Sequence, residues 1–129
     1  MAKKAGSGNE TVELHSKLFR DLMLGFVRVH ILHHANIEPI YGAGISEELQ
    51  QHGYKLSWGT LYPVLHSLTA EGLLSREDWV VDGKVRKYYS ITKLGQRALK
   101  EARLKALELV SEIADERDAE VVQKRVRRG

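Results

Sequence analysis

The run Ser57-Trp58-Gly59-Thr60-Leu61-Tyr62-Pro63-Val64-Leu65-His66-Ser67-Leu68, continuing to Glu71-Gly72-Leu73, carries the plainest structural signal in this chain of 129 residues. Ser57 is a favoured helix N-cap, and Leu61, Leu65 and Leu68 recur at helical spacing on one face, so a helix over Trp58 to Glu71 is predicted, ended by Gly72. Pro63 has no amide proton to give: either the first turn is distorted, or capping begins nearer Thr60 and puts Pro63 in the first turn. The side opposite the leucines presents Gly59, Thr60, Pro63, His66, Ser67 and Ala70, which are small or polar. A helix with such a face can approach another surface closely.

Upstream, a short helix is predicted over Tyr41 to His52, with Ile45 and Leu49 facing inward and Gly53 ending it. A longer one runs from about Val12 to His34 on a stripe of Leu14, Leu18, Leu22, Phe26, Val29 and Leu32. Met23, Leu24, Val27 and Ile31 widen that stripe nearly all round, which implies cover on more than one side. Asn36 to Pro39 breaks the pattern. Downstream, Leu73 to Val81 and Val85 to Thr92 are rich in β-branched and aromatic residues around Asp82-Gly83, a strong hairpin turn signal. From Lys93 to about Lys124 the pattern is helical again, with Ala98, Ala102, Leu109, Val110 and Ile113 apolar. The fold class read from this order is mainly α with a small β-hairpin (α+β). The chain divides into a loose tail over 1–10, a head over 11–92, a C-terminal helix over 93–123 and a basic tail over 124–129.

Composition bounds the function. Apolar residues make up 43% of the chain and charged residues 29%, as in a folded protein with a solvated surface. The formal charge of +3 is compatible with a polyanionic partner. With no cysteine, disulfides, thiolate metal sites and a cysteine nucleophile are excluded. Leu18 to Leu32 is interrupted by Arg20, Asp21, Arg28 and His30, so no segment is expected to cross a bilayer, and a cytoplasmic address is expected. The sequence has no phosphate-cradling glycine loop, nucleophile elbow or His-Glu-x-x-His helix, so no catalytic role, and no cofactor, is assigned.

Two short helices joined by a tight connection place the second where it can enter a DNA major groove. Trp58 to Glu71 is then the reader: Thr60, His66 and Ser67 can donate to phosphates or base edges, and the first-turn amides favour a phosphate. Lys84, Arg86 and Lys87 at the hairpin tip suit the neighbouring backbone. Each residue also has a plainer role: helix capping for Thr60, packing for Tyr62, a solvated strand face for Arg86 and Lys87. Tyr88 and Tyr89 alternate across a strand, so at least one belongs to the core.

The Gly-Thr-aliphatic-Tyr-Pro core at 59–63 with Glu71-Gly72-Leu73 resembles the recognition-helix signature of the PadR family of bacterial transcriptional regulators. Gly83, Arg86-Lys87-Tyr88-Tyr89, Ile91-Thr92 and Gly95 resemble that family's wing and the entry to its last helix, and Tyr41-Gly42 with Ile45 its second helix; the resemblance spans about Leu18 to Ile113. Gly44 departs from it, where the family often has a larger residue. The resemblance implies a winged helix-turn-helix head plus a long C-terminal dimerisation helix, in a homodimeric repressor that binds a palindromic operator in double-stranded DNA and is released by a small aromatic effector. DNA contact is then expected from Ser57, Trp58, Thr60, Tyr62, Pro63, His66, Ser67, Lys84, Arg86 and Lys87. The dimer contact is expected from Leu18, Leu22, Phe26, Ala102, Leu109, Val110 and Ile113, and Trp58 and Trp79 are candidate stacking surfaces for an effector at a site that is not assigned. Two alternatives stay open: a winged-helix protein-interaction module, and a metal-responsive sensor built on His30, His33 and His34, whose spacings of three and four can bring imidazoles to one ion. Glu38 is the nearest carboxylate in sequence. Packed or solvent-facing histidines are the commoner outcome, and no metal is assigned.

Overall fold

The computed structural model describes residues 7–128, with side chains described over 16–127. Among them are five helices and one three-stranded antiparallel sheet. Helix α1 spans Ser7–Ile37, strand β1 Ile40–Tyr41, α2 Gly42–Gln51, α3 Trp58–Ala70, β2 Leu74–Val81, β3 Lys84–Ile91, α4 Lys93–Ile113 and α5 Glu116–Arg128. The mainly α, α+β architecture stands, with one strand more than the hairpin.

The core forms where the apolar faces of α1, α2 and α3 meet one face of the sheet. Val27, Ile31, Leu32 and Ala35 of α1 meet Ile45 and Leu49 of α2 and Leu61, Val64, Leu65 and Leu68 of α3, with Leu74, Tyr89 and Leu99 closing it. Leu61 and Leu65 are fully buried. Each such side chain stabilises the fold by roughly 1.5–3 kcal/mol through removal of apolar surface from water.

Pro63 lies in the second turn of α3, not the first. The helix starts at Trp58, and Ser57 O accepts both Thr60 N at 3.0 Å and Leu61 N at 2.9 Å, so the first turn is tight and capping does not shift to Thr60. The carbonyl that Pro63 cannot serve belongs to Gly59, on the exposed side, where water can satisfy it.

Asp82 and Gly83 both adopt left-handed backbone, φ 52° and 78°, the geometry of a type I′ turn whose twist matches the paired strands. The register runs from Leu74 opposite Ile91 to Val81 opposite Lys84. Tyr89 is buried and Tyr88 half-buried, as alternation requires. Strand β1, too short to show any periodicity, pairs Ile40 with Tyr89 and Tyr41 with Tyr88, and so ties the start of α2 to the wing.

Three boundaries differ from the sequence reading. Helix α1 already includes residues 7–10 of the expected tail, whose remainder, 1–6, lies outside the described residues. The expected single C-terminal helix is two, because Ala114 takes extended backbone with ψ 150° and Asp115 starts a new helix. The Asp115 carboxylate accepts from Arg117 N and Asp118 N at 2.9 and 3.0 Å, while Asp118 accepts from Asp115 N at 2.9 Å. This reciprocal capping favours a new N-terminus over continuation. Residues 124–128, read as a basic tail, accordingly belong to α5.

The head joins α4 at a tight corner. Thr92 caps α4 by accepting from Gly95 N at 2.9 Å, and its hydroxyl donates to Gly72 O at the end of α3. A Cβ on Gly95 would stand 2.1 Å from Leu73 O and 2.7 Å from Ile91 Cγ1, which no rotamer change can relieve because the first neighbour is backbone. Gly95→Ala is therefore expected to destabilise the chain by about 3 kcal/mol, the upper range for overpacking, measured by chemical denaturation; a loss under about 1 kcal/mol would show that the corner yields.

Candidate nucleic-acid interface

Helix α3 turns its leucine face inward, so the opposite face has nowhere to go but outward. Gly59, Pro63, His66 and Ala70 are exposed, and Thr60 and Ser67 half-buried. Trp58 and Tyr62, both close to half exposed, stack on each other with ring centroids 5.2 Å apart and planes at 28°. The face carries no acidic residue in its first turn.

Ser57 takes the N-cap backbone conformation, but its side chain makes no capping bond; its hydroxyl lies 3.3 Å from that of Thr60. The first-turn amides of Trp58 and Gly59 are thus left uncapped by side chains beside two surface hydroxyls, a geometry suited to an anion. At the far end, Ser67 donates to Glu71 at 3.0 Å, which engages its hydroxyl and puts a carboxylate at that edge of the face.

The wing cations divide. The pleat sets Lys84 and Arg86 on one face of β3 and Lys87 on the other. Lys84 and Lys87 are exposed, and among the described residues neither enters an ion pair; Asp78, opposite Lys87, is taken by Arg76 at 3.1 Å. Arg86 is half-buried, with its guanidinium 4.2 Å from the centre of the Tyr41 ring and within 3.5 Å of the Tyr88 hydroxyl, to which it donates. That hydrogen bond holds its pKa above the ordinary guanidinium range. Arg86 is therefore held over Tyr41, beside the start of α2, while Lys84 and Lys87 extend into solvent. Tyr41, which supplies this platform, was visible in the sequence only as part of a motif. Gly44 completes it: a Cβ there would come within 3.0 Å of the Tyr41 ring, so the residue that departs from the family pattern leaves room for the tyrosine under Arg86.

Both tryptophans offered as effector surfaces already have aromatic neighbours. Trp58 stacks on Tyr62, and Trp79 on Tyr88 at 4.1 Å and 25°, while the Trp79 indole N–H donates to Glu77 at 2.8 Å.

On the far side of the head, α1 and α4 flank an apolar groove of about 810 Å³. Of the residues expected at a dimer contact, Leu18, Leu22, Phe26, Ala102 and Val110 line it, and Leu109 and Ile113 lie outside it, exposed on α4. Leu107, not singled out by sequence, also lines it and is 61% exposed. Of the three histidines grouped by spacing, His30 and His34 share a donor cluster with His52, at the C-cap of α2, while His33 packs its ring against His34 with centroids 5.0 Å apart and brings no donor to that cluster; Glu48, 4.0 Å from His34, supplies the nearby carboxylate. No described helix is long and apolar enough to cross a membrane.

Comparison with known proteins gives one answer. The sequence model of the transcriptional regulator PadR-like family matches residues 31–101. A transcriptional regulator of Mycobacterium tuberculosis is 48% identical over 94 residues, covering 73% of this chain and 88% of that protein. Among solved structures, a PadR family transcriptional regulator from Eggerthella lenta superposes with a TM-score of 0.69 at 30% identity, over 81% of this chain and 92% of its own. A PadR-like transcription factor from Bacteroides fragilis gives 0.66 at 30% identity, over 75% and 95%.

Proposed function

Because this chain belongs to the PadR-like family of transcriptional regulators, we propose that it is a sequence-specific repressor that binds a palindromic operator in double-stranded DNA as a homodimer. The observation that carries the reading is the outward face of α3, small and polar from Gly59 to Ala70, on a head whose wing bears two unpaired lysines. In this reading α3 enters the major groove. Gly59 and Pro63 permit close approach, Thr60, His66 and Ser67 supply polar contacts, and the Trp58–Tyr62 stack lies against the sugar–phosphate backbone. Lys84 and Lys87 hold flanking phosphates, and Arg86 adds positive charge where the wing meets α2.

The α1–α4 groove supports the homodimer. Leu18, Leu22, Phe26, Leu107 and Val110 form a continuous apolar surface that a monomer would leave in water, and two-fold symmetry lets the same surface cover itself. Two heads joined this way read half-sites about 34 Å apart on one side of the duplex. Occupancy of a promoter then blocks transcription.

Three measurements test this. Lys87→Ala should lower the slope of log affinity against log salt by about one unit, as for loss of a single phosphate contact, and Arg86→Ala by less, its charge being fixed on Tyr41; an unchanged slope in both removes the wing from the interface. Gly59→Ala separates folding from binding: the new methyl meets nothing closer than Ser57 Oγ at 3.7 Å, so stability should rise by roughly 0.5–1 kcal/mol while duplex affinity falls. Undiminished affinity would exclude the first turn of α3 from the groove. Leu107→Glu places a charge on a surface already exposed in the monomer, so light scattering should show the mass fall to that of one 14.6 kDa chain with circular dichroism unchanged; a persistent dimer would locate the contact elsewhere.

A further inference from the structure

Behind the head, two helices that are separate in sequence bring three imidazoles together. His30 and His34 sit one turn apart on α1, and His52 is the C-cap of α2. The rings of His30 and His34 are nearly parallel, at 13° with centroids 6.3 Å apart, and that of His52 lies 4.7 Å from His30. One donor nitrogen from each residue falls within 4.8 Å of the other two.

Among the described residues, no hydrogen bond engages a ring nitrogen of His30, His34 or His52, and the one carboxylate within 4.0 Å of them is that of Glu48, whose Oε2 lies 4.0 Å from His34 Nε2. Tyr54 packs edge-on against His30 at 5.3 Å and closes one side with its ring.

We propose that His30, His34 and His52 bind a divalent transition metal of the zinc class, with the Glu48 carboxylate beside His34. Two histidines spaced i, i+4 on a helix present their rings to one ion, and a third from another element gives the three-ligand set of zinc sites that leave a position open. Imidazole donors without thiolate suit zinc, cobalt, nickel or copper, not calcium or magnesium. Tetrahedral coordination with metal–nitrogen bonds of about 2.0–2.1 Å needs donor atoms about 3.3 Å apart. The ligands must therefore draw in by at most about 1.5 Å from the 4.8 Å limit, and His52, exposed at the end of α2, has room to make that movement. His33 packs edge-on against His34 with ring centroids 5.0 Å apart, and lines the α1–α4 groove as His30 does, but brings no donor atom to the group of three.

Occupancy pins the C-terminal end of α2 to α1. Since α2 leads through residues 53–57 into α3, the ion would set the angle of the helix pair on its support. This regulatory consequence, unlike the metal site itself, rests on the DNA-binding reading.

The test uses the untagged full-length chain and Co²⁺ alone, without DNA, followed by visible absorption, with Zn²⁺ as competitor. One Co²⁺ per chain is expected, with a tetrahedral-type spectrum that Zn²⁺ abolishes. His34→Ala and His52→Asn should each weaken binding by more than about tenfold, the least that loss of even an outer-shell partner brings, and His33→Ala should not. Circular dichroism checks folding, and His52→Asn, at an exposed cap, keeps the test open if His34→Ala unfolds. Absence of a spectrum in the parent chain, or equal affinity in His52→Asn, overturns the site. Duplex affinity measured with and without Zn²⁺ then tests the coupling alone: a change confined to the parent chain supports it, and no change overturns it while leaving the metal site intact.

Discussion

Burial of one face of α3 is the constraint from which the rest of the molecule follows. Leu61 and Leu65 are sealed against α1 and α2, with Val64 and Leu68 beside them. Rotating the helix to bury any other face would expose four large apolar side chains and bring Thr60, His66 and Ser67 into an apolar interior without partners, at a cost of several kcal/mol in each direction. The outward presentation of Gly59, Thr60, Pro63 and His66 is thus enforced by the core.

A second joint transmits that placement to the rest of the chain. The Thr92 hydroxyl bridges the end of α3 to the first turn of α4, and Gly95 lets the helix pass directly over Leu73 O. The head and the long helix are therefore held at one angle. The α1–α4 groove lies on this frame, so any partner seated in the groove acts on a lever rigidly joined to the outward helix. The histidine cluster lies where the other helix of the pair, α2, meets α1.

The wing shows how pairing sorts residues that look alike in sequence. Lys84, Arg86 and Lys87 form one basic stretch on paper, but the pleat divides them, and β1 decides the fate of the arginine. Pairing of Ile40–Tyr41 with Tyr88–Tyr89 brings the Tyr41 ring beneath Arg86, where the cation gains an aromatic face and gives up reach. Lys84 at the turn and Lys87 on the opposite face have no such platform and keep their charge in solvent.

Local patterns determined the order of elements, because each depends on neighbours within a few residues: leucines at helical spacing with Gly72 behind them, alternation around Asp82-Gly83, and the broad apolar stripe of α1. They also marked the face of α3 that turns outward and the apolar surface left over on α1 and α4. Only the tertiary structure decided what depends on separation in sequence: β1, two residues long with its signal in a strand some fifty residues away; the platform of Tyr41 under Arg86; and the replacement of His33 by His52 in the histidine cluster. The break at Ala114–Asp115 is local, set by the reciprocal caps of Asp115 and Asp118. Periodicity reports which side of a segment is apolar, and it carries no information about which distant segment will come to lie against it.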